Sequence, residues 1–436
     1  MTRQVVVTGA FVVLLSGVLG AQAPGAVNAV NNGDTAFMLM SAALVMLMTP
    51  GLAFFYGGMV RGKNVLGTMM QSFMAVAVIS LQWILWGYSL GFGPDRGGFV
   101  GGLEWVGLRG VGMAPNPDYA ATIPHQTYMI YQCMFAIITP ALITGAIAER
   151  MKFKTFLVFM LLWATLVYDV VAHWVWGTGG WLRGMGALDF AGGTVVHISS
   201  GVSALVAAIV IGRRRGYPDT AMPPHNLPYT LLGAGLLWFG WFGFNAGSAV
   251  AAGTLSTSAF IATNTAAAAA AVAWVLMDWM VKGTPTALGA ASGAVAGLVA
   301  ITPASGYVGP MPAIIIGAMG GCVCFFAITL RMKTSVDDSL DVFSVHGVGG
   351  TLGALMTGLF ASKLINPAGN DGLFFGNPGL LGTQVIAVLA TWIYAAVVTF
   401  VLLKVLDAVM GLRVDAQQED EGLDVTQHGE SAYTLE

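Results

Sequence analysis

Apolar stretches long enough to cross about 30 Å of hydrocarbon recur along the chain at roughly 34–58, 65–91, 123–148, 154–174, 190–212, 228–252, 256–281, 285–303, 309–331, 343–362 and 381–408. The edges are soft, most of all in the Gly/Ala-rich stretch 285–303. This pattern predicts an all-α integral membrane protein with eleven transmembrane helices. An odd number of spans puts the two ends of the domain on opposite sides of the bilayer.

Basic residues say which side is which, because short cytoplasmic loops are enriched in Lys and Arg. With the mature N-terminus outside and the C-terminus inside, the cytoplasmic ends receive Arg61, Lys63, Arg150, Lys152, Lys154, Arg213, Arg214, Arg215, Lys282, Arg331, Lys333, Lys404 and Arg413, thirteen of the eighteen basic residues. Arg3 belongs to the leader, and only Arg96, Arg109, Arg183 and Lys363 remain for the outer face. The opposite orientation would invert that bias.

Residues 1–29 read as a secretory signal peptide: Arg3, an apolar run from Val5 to Leu19, then the small residues Ala21, Ala23, Ala26 and Ala29. Pro24 disfavours cleavage after Ala23, so the expected cut follows Ala29, with an uncleaved first span as the alternative. The eleven-span domain then occupies 30–412. The tail 413–436 carries Asp415, Glu419, Asp420, Glu421, Asp424 and Glu430 and no further span. Its composition alone favours a solvated cytoplasmic segment over a docked one.

Composition sharpens the picture in two respects. The 436 residues are 56% hydrophobic and 9% charged, whereas a soluble domain carries about 25% charged residues. The 59 glycines suit close approach of helices in lipid. A net charge of −3 gives no reason to expect nucleic acid. Cys322 and Cys324 lie two apart on one span and read as packing residues, not as a disulfide or a metal site.

Against this background two histidines stand out, because ionisable groups within a span are costly and mark function. His197 lies in DFAGGTVVHISS on the fifth span and His346 in DVFSVHGVGG on the tenth. Both stretches contain V-H-x-x-x-G, ending at Gly201 and Gly350, and each has an aspartate eight residues upstream, Asp189 and Asp338. The chain thus divides into two five-span units, about 34–215 and 228–362, followed by an extra C-terminal helix at 381–408. Five is odd, so the second unit runs inverted relative to the first. Inverted repeats commonly place a permeation site at their interface near the midplane. The two histidines are expected to meet there, offering a donor and an acceptor without a fixed charge.

On the outer side, Trp176 ends the fourth span, Tyr131 and Phe135 share the third, and Phe244 and Ser248 lie in GWFGFNAGSA on the sixth. Aromatic faces attract a small cation by about 0.5–2 kcal/mol. Trp174 and Trp181 read instead as an interfacial belt.

The stretches TPGLAFFYGGMVRGKN, GAIAERMKF, GALDFAGGTVVHI, PHNLP, GWFGFNAGSA, DVFSVHGVGG and EGLDVTQHGESAY, in this order along nearly the whole mature chain, closely resemble the bacterial ammonium transporter family, the Amt branch. The resemblance implies eleven spans and a homotrimer with a pore through each subunit, in the cell inner membrane and surrounded by lipid. It matches His197 and His346 to the twin pore histidines. It matches Trp176, Phe135 and Ser248 to the outer ammonium site, and Phe135 and Phe244 to the phenyl gate beneath it. Asp189 matches the aspartate that supports the vestibule. The tail resembles a segment that docks on the cytoplasmic face and works with a trimeric PII signalling protein. No cofactor, metal or catalytic residue is implied, and the chain is not expected to be an enzyme. Two departures stand out: Tyr131 replaces a frequent phenylalanine, which offers the vestibule a hydroxyl, and the loop WGTGGWLRGMGALD is one residue longer than the commonest form.

Dehydrating an ammonium ion costs several kcal/mol, more than such contacts offset, and burial drives an ammonium-type group toward its neutral form. The expected course is therefore recruitment of ammonium (or methylammonium), deprotonation, passage of ammonia past the histidines, and a separate proton route. A neutral gas channel and a sensor signalling through its tail are the alternatives. Transport is favoured over sensing, since no appended signalling domain follows Glu436. A haem protein would need more intramembrane histidines, and His125, His173 and His225 lie near span ends.

Overall fold

The computed structural model describes residues 30–433. Within them ten helices are long and apolar enough to cross a membrane: Asn32–Met59, Gly62–Phe92, His125–Ile147, Phe153–Gly184, Gly193–Ile211, Leu227–Ala249, Thr254–Lys282, Pro310–Arg331, Phe343–Phe360 and Pro378–Met410. A shorter apolar helix, Ala287–Ile301, stands at the eighth expected position. The expected signal peptide falls outside the described residues.

The helices differ from the regular rods that hydropathy predicts. Among the described residues four carry a π-helical turn, at Trp83–Gly87, Ala164–Tyr168, Gly193–Ile198 and Phe343–Gly347. Such a turn inserts one residue, widens the helix and re-aims the side chains on it, and it occurs frequently at functional sites. Two of the four contain His197 and His346.

One face of the bundle is held by a buried ion network. Glu149 accepts from Arg61 N at 2.7 Å and Arg61 Nε at 2.6 Å, and Arg214 Nη1 lies 3.7 Å from the same carboxylate. Asp337 takes Arg214 in a fork, at 2.9 and 2.8 Å. Arg150, fully buried, donates to the carbonyls of Gly212, Ala148, Ala146 and Asp337. Burial works to raise the Asp337 carboxyl, but the Arg214 and Arg150 guanidiniums outweigh it and hold it below the ordinary carboxylate range. A depressed acid contributes stability above its unfolded pKa and loses it as pH falls through the folded value. This face should therefore stay intact through mild acid and loosen only below the ordinary carboxylate range. Replacing Asp337 with Asn removes the titrating carboxyl, so melting temperature in detergent should fall near neutral pH while the further loss of stability in acid becomes smaller than in wild type.

The tail corrects the expectation from composition. It folds into two short helices, Ala416–Glu421 and Leu423–His428, that dock on this same face, with Glu419 and Asp424 only 1% and 2% exposed. Two of its acidic residues, Glu419 and Asp424, are matched by protein donors, while Asp415, Asp420, Glu421 and Glu430 stay exposed. Glu419 accepts from Arg215 N at 2.7 Å and Arg413 Nη2 at 2.6 Å. Asp424 accepts from Leu66 N at 3.1 Å and Gly67 N at 2.8 Å. Those are first-turn donors of the helix Val65–Gln82, whose own preceding residue, Asn64, caps nothing with its side chain and instead accepts from Leu423 N. The tail therefore supplies the carboxylate cap that a helix N-terminus attracts. Removing it as Asp424→Ala should cost about 1–2 kcal/mol and speed proteolysis within 413–436 while the membrane domain stays resistant. Equal cleavage of wild type and variant would show that the cap does not hold the tail.

Candidate functional site

The helices Gly193–Ile211 and Phe343–Phe360 cross where the echoed motif predicts. A Cβ at Gly201 would overlap the Gly347 backbone nitrogen, and one at Gly350 would lie 2.9 Å from His197 Cβ. The glycine of each V-H-x-x-x-G is thus the point at which one helix admits the other. The crossing brings His197 Nδ1 to 3.2 Å from His346 Nδ1, with the rings 5.2 Å apart and 26° from parallel. Both are buried, at 1% and 4% exposure.

A contact between two ring nitrogens needs one hydrogen on the line between them. One histidine is then the Nδ1–H tautomer and its neighbour the Nε2–H tautomer, so the pair presents one donor and one acceptor at its outer nitrogens. His197 Nε2 is buried and finds no protein partner. Together the rings line a small cavity, about 10 Å³, closed by apolar side chains including Leu142, Ile138, Val196 and Trp241. Trp241 lies 5.5 Å from the His197 ring at 24°, and its Nε1 donates to Thr302. It escaped the sequence reading, although its place three residues before Phe244 sets both on one helix face.

Phe244 closes this cavity on one side. Its ring lies 4.2 Å from Phe135, and Phe135 stands edge-on to Trp176 at 5.8 Å. Beyond the phenyl pair opens a cavity of about 460 Å³ lined by Trp176, Asp189 and Ser248 with Tyr128, Gln132, Asp118, Arg183 and Asn370. The structure therefore brings together every residue that the sequence proposed for this side. Ser248 Oγ lies 2.9 Å from Phe244 O as a donor, which leaves its lone pairs for a cation's N–H groups.

Tyr131 is fully buried, and its hydroxyl reaches the carbonyls of Gly243 and Phe244, both at 2.9 Å, and Ser248 Oγ at 3.2 Å. It steadies the end of the sixth helix and does not offer a free group to the vestibule. Trp174 also departs from expectation. It is 4% exposed and packs on Trp181 and Tyr394, so it belongs to the interior and not to a belt.

Asp189 links the two sites. Its carboxylate accepts from Gly192 N at 2.8 Å, Gly193 N at 2.6 Å, Thr194 N at 2.7 Å and Val195 N at 3.2 Å, and from the Thr194 hydroxyl. Its carbonyl accepts from Trp176 Nε1 at 2.9 Å. One residue thereby caps the turn that carries His197 and fixes the indole of the outer cavity. Asp338 repeats half of this role by accepting from Phe343 N at 2.8 Å, at the start of the turn that carries His346. Burial and the neighbouring Asp341 push the Asp338 carboxyl up to about 6. On this side His346, Tyr56 and Asp341 line a third cavity of about 50 Å³.

Three cavities therefore lie near the histidine and phenyl pairs: one lined by Trp176, Asp189 and Ser248, one by both histidines, and one by His346, Tyr56 and Asp341. The Ammonium Transporter Family model matches residues 36–433. An ammonium transporter of Bacillus subtilis (strain 168) is 56% identical over 92% of this chain and 98% of its own. One from Archaeoglobus fulgidus is 50% identical over 93% and 100%. The crystal structure of Saccharomyces cerevisiae Mep2 superposes with a TM-score of 0.84 at 36% identity, over 89% of this chain and 88% of that one. A structure titled Sensor Amt Protein gives 0.84 at 30% identity, over 91% and 98%. Matched by the family model over most of its length and built of apolar helices, this multi-pass membrane protein belongs to the ammonium transporter family.

Proposed function

We propose that the chain takes up ammonium by holding the ion in the 460 Å³ vestibule, removing its proton there, and passing ammonia between Phe135 and Phe244 to His197 and His346. The observation that carries this reading is the histidine pair, Nδ1 to Nδ1 at 3.2 Å, lining an apolar cavity of about 10 Å³. An ion stripped of water pays too much in such a lining, whereas ammonia donates to one outer ring nitrogen and accepts from the other. At the vestibule Trp176 and Phe135 supply aromatic faces, Ser248 an acceptor, and Asp189 and Tyr131 the support. The proton arrives at the unprotonated outer Nε2 of one ring, that ring passes its Nδ1 hydrogen to the Nδ1 of the other, and the second ring releases its own Nε2 hydrogen, which swaps the two tautomers. Potassium has no proton to give up and stops at the phenyl pair.

The same reading takes Ala287–Ile301 as the eighth of eleven spans. It sets the two five-helix units inverted about the histidine pair and puts the vestibule outside and the tail in the cytoplasm of a cell with this protein in its inner membrane. The gathering of Arg61, Arg150, Arg214, Arg215 and Arg413 on the tail face supports that orientation. A homotrimer and a PII partner for the tail are carried over from the family resemblance.

The test is current across a supported membrane carrying purified protein. An ammonium jump should evoke a transient current and a potassium jump none. Ammonia flux registered by an internal pH probe without current would make the protein a neutral gas channel and remove the proton route.

A further inference from the structure

His173 is fully buried on the last turn of Asp169–Trp176, three residues before Trp176. Its Nδ1 lies 3.1 Å from the Gly91 carbonyl and its Nε2 2.8 Å from Asp95 Oδ1. Carbonyl and carboxylate oxygens only accept, so both ring nitrogens are placed to donate. The hydrogen bond from His173, and then those from Gly98, hold the Asp95 carboxyl below the ordinary range. The other charges nearby are engaged elsewhere. Arg96 is paired with Glu104, and Arg183 donates to the Trp176 carbonyl at 2.7 Å.

The segment that follows Trp176 is built around this pair. A Cβ at Gly177 would lie 2.5 Å from His173 Nδ1, one at Gly179 would lie 2.5 Å from Asp95 Cβ, and one at Gly180 would overlap the His173 carbonyl. Trp181 N then donates to Gly98 O at 3.1 Å, which closes the segment onto the hairpin Asp95–Arg96 and Val100–Gly101. The glycines of WGTGGW are therefore accounted for by close wrapping of the His173–Asp95 hydrogen bond, and that wrapping begins at the residue after Trp176.

We infer that His173 is a positioning residue for the outer ammonium site: bridging Gly91 and Asp95, it fixes the helix end that presents Trp176 and so sets the affinity for the incoming cation, not the rate of passage. This rests on the reading of Trp176 as part of that site.

The experiment measures ammonium-evoked current against concentration for full-length wild type, His173→Gln, Asp95→Asn, the double variant and Trp176→Leu. Each latch variant should raise half-saturating ammonium about tenfold with maximal current kept, and the double variant should be no worse than the weaker single, as expected for partners in one interaction. Asp95 lies on a half-exposed hairpin, so Asp95→Asn keeps the test alive if His173→Gln does not assemble. Unchanged half-saturation in the latch variants, or a loss confined to maximal current, overturns the inference while Trp176→Leu still raises half-saturation. No effect of Trp176→Leu would instead overturn the outer-site reading itself.

Discussion

Replacing both paired histidines, as His197→Ala with His346→Ala, is expected to abolish the ammonium-evoked transient current, a loss of about 10²-fold or more if the pair acts as a positioned proton carrier. The reason is geometric. The rings meet Nδ1 to Nδ1 at 3.2 Å, and the His197 ring lies against the faces of Trp241 and Phe244, which cannot replace a hydrogen shared between two ring nitrogens. The alanine variant widens the cavity and leaves an apolar passage that offers neither donor nor acceptor. His346→Asp and His197→Glu examine selectivity separately. A carboxylate at that depth offsets part of an ion's desolvation cost, so either variant should begin to pass potassium. Full ammonium current with potassium still excluded in both would rule out the relay.

The second large effect is expected at Asp189. Alanine there strips the acceptor from four backbone N–H groups and one hydroxyl in a place that water reaches poorly. Hydrogen bonds to a charged group contribute about 1.5–3 kcal/mol each, and an orphaned buried donor costs about 1–3. Even after discounting for relaxation, Asp189→Ala should lose about 5 kcal/mol, a large part of a typical folding free energy. It should reduce yield, lower the melting temperature in detergent and remove transport, because the turn that carries His197 and the carbonyl that holds Trp176 depend on the same residue. Asp189→Asn keeps one acceptor oxygen and should fall between. If Asp189→Ala melted like wild type and changed only the half-saturating concentration, the carboxylate would instead be touching ammonium directly.

Much of the site was legible because its marks are local. A histidine inside an apolar run is costly wherever it occurs, and the spacing Asp, eight residues, His, four residues, Gly repeats in both halves. The structure gives each part a physical reason: the aspartate caps the turn, the histidine faces its counterpart, and the glycine admits the opposing helix. Phe135, Phe244, Ser248 and Trp176 were likewise legible as a group, although their stacking order was not.

What the amino-acid order determined by itself was the set of apolar spans, the one-sided distribution of basic residues and the correspondence of His197 with His346, since length, charge and spacing are properties of short segments. Tertiary structure alone decided the π turns that aim both histidines, the inward hydroxyl of Tyr131, the burial of Trp174, the latch between His173 and Asp95, and the docking of the acidic tail. Each of these is settled by partners distant in sequence, as when Asp424 caps a helix that begins at Val65. An isolated segment carries no record of which donor, guanidinium or ring will be packed against it.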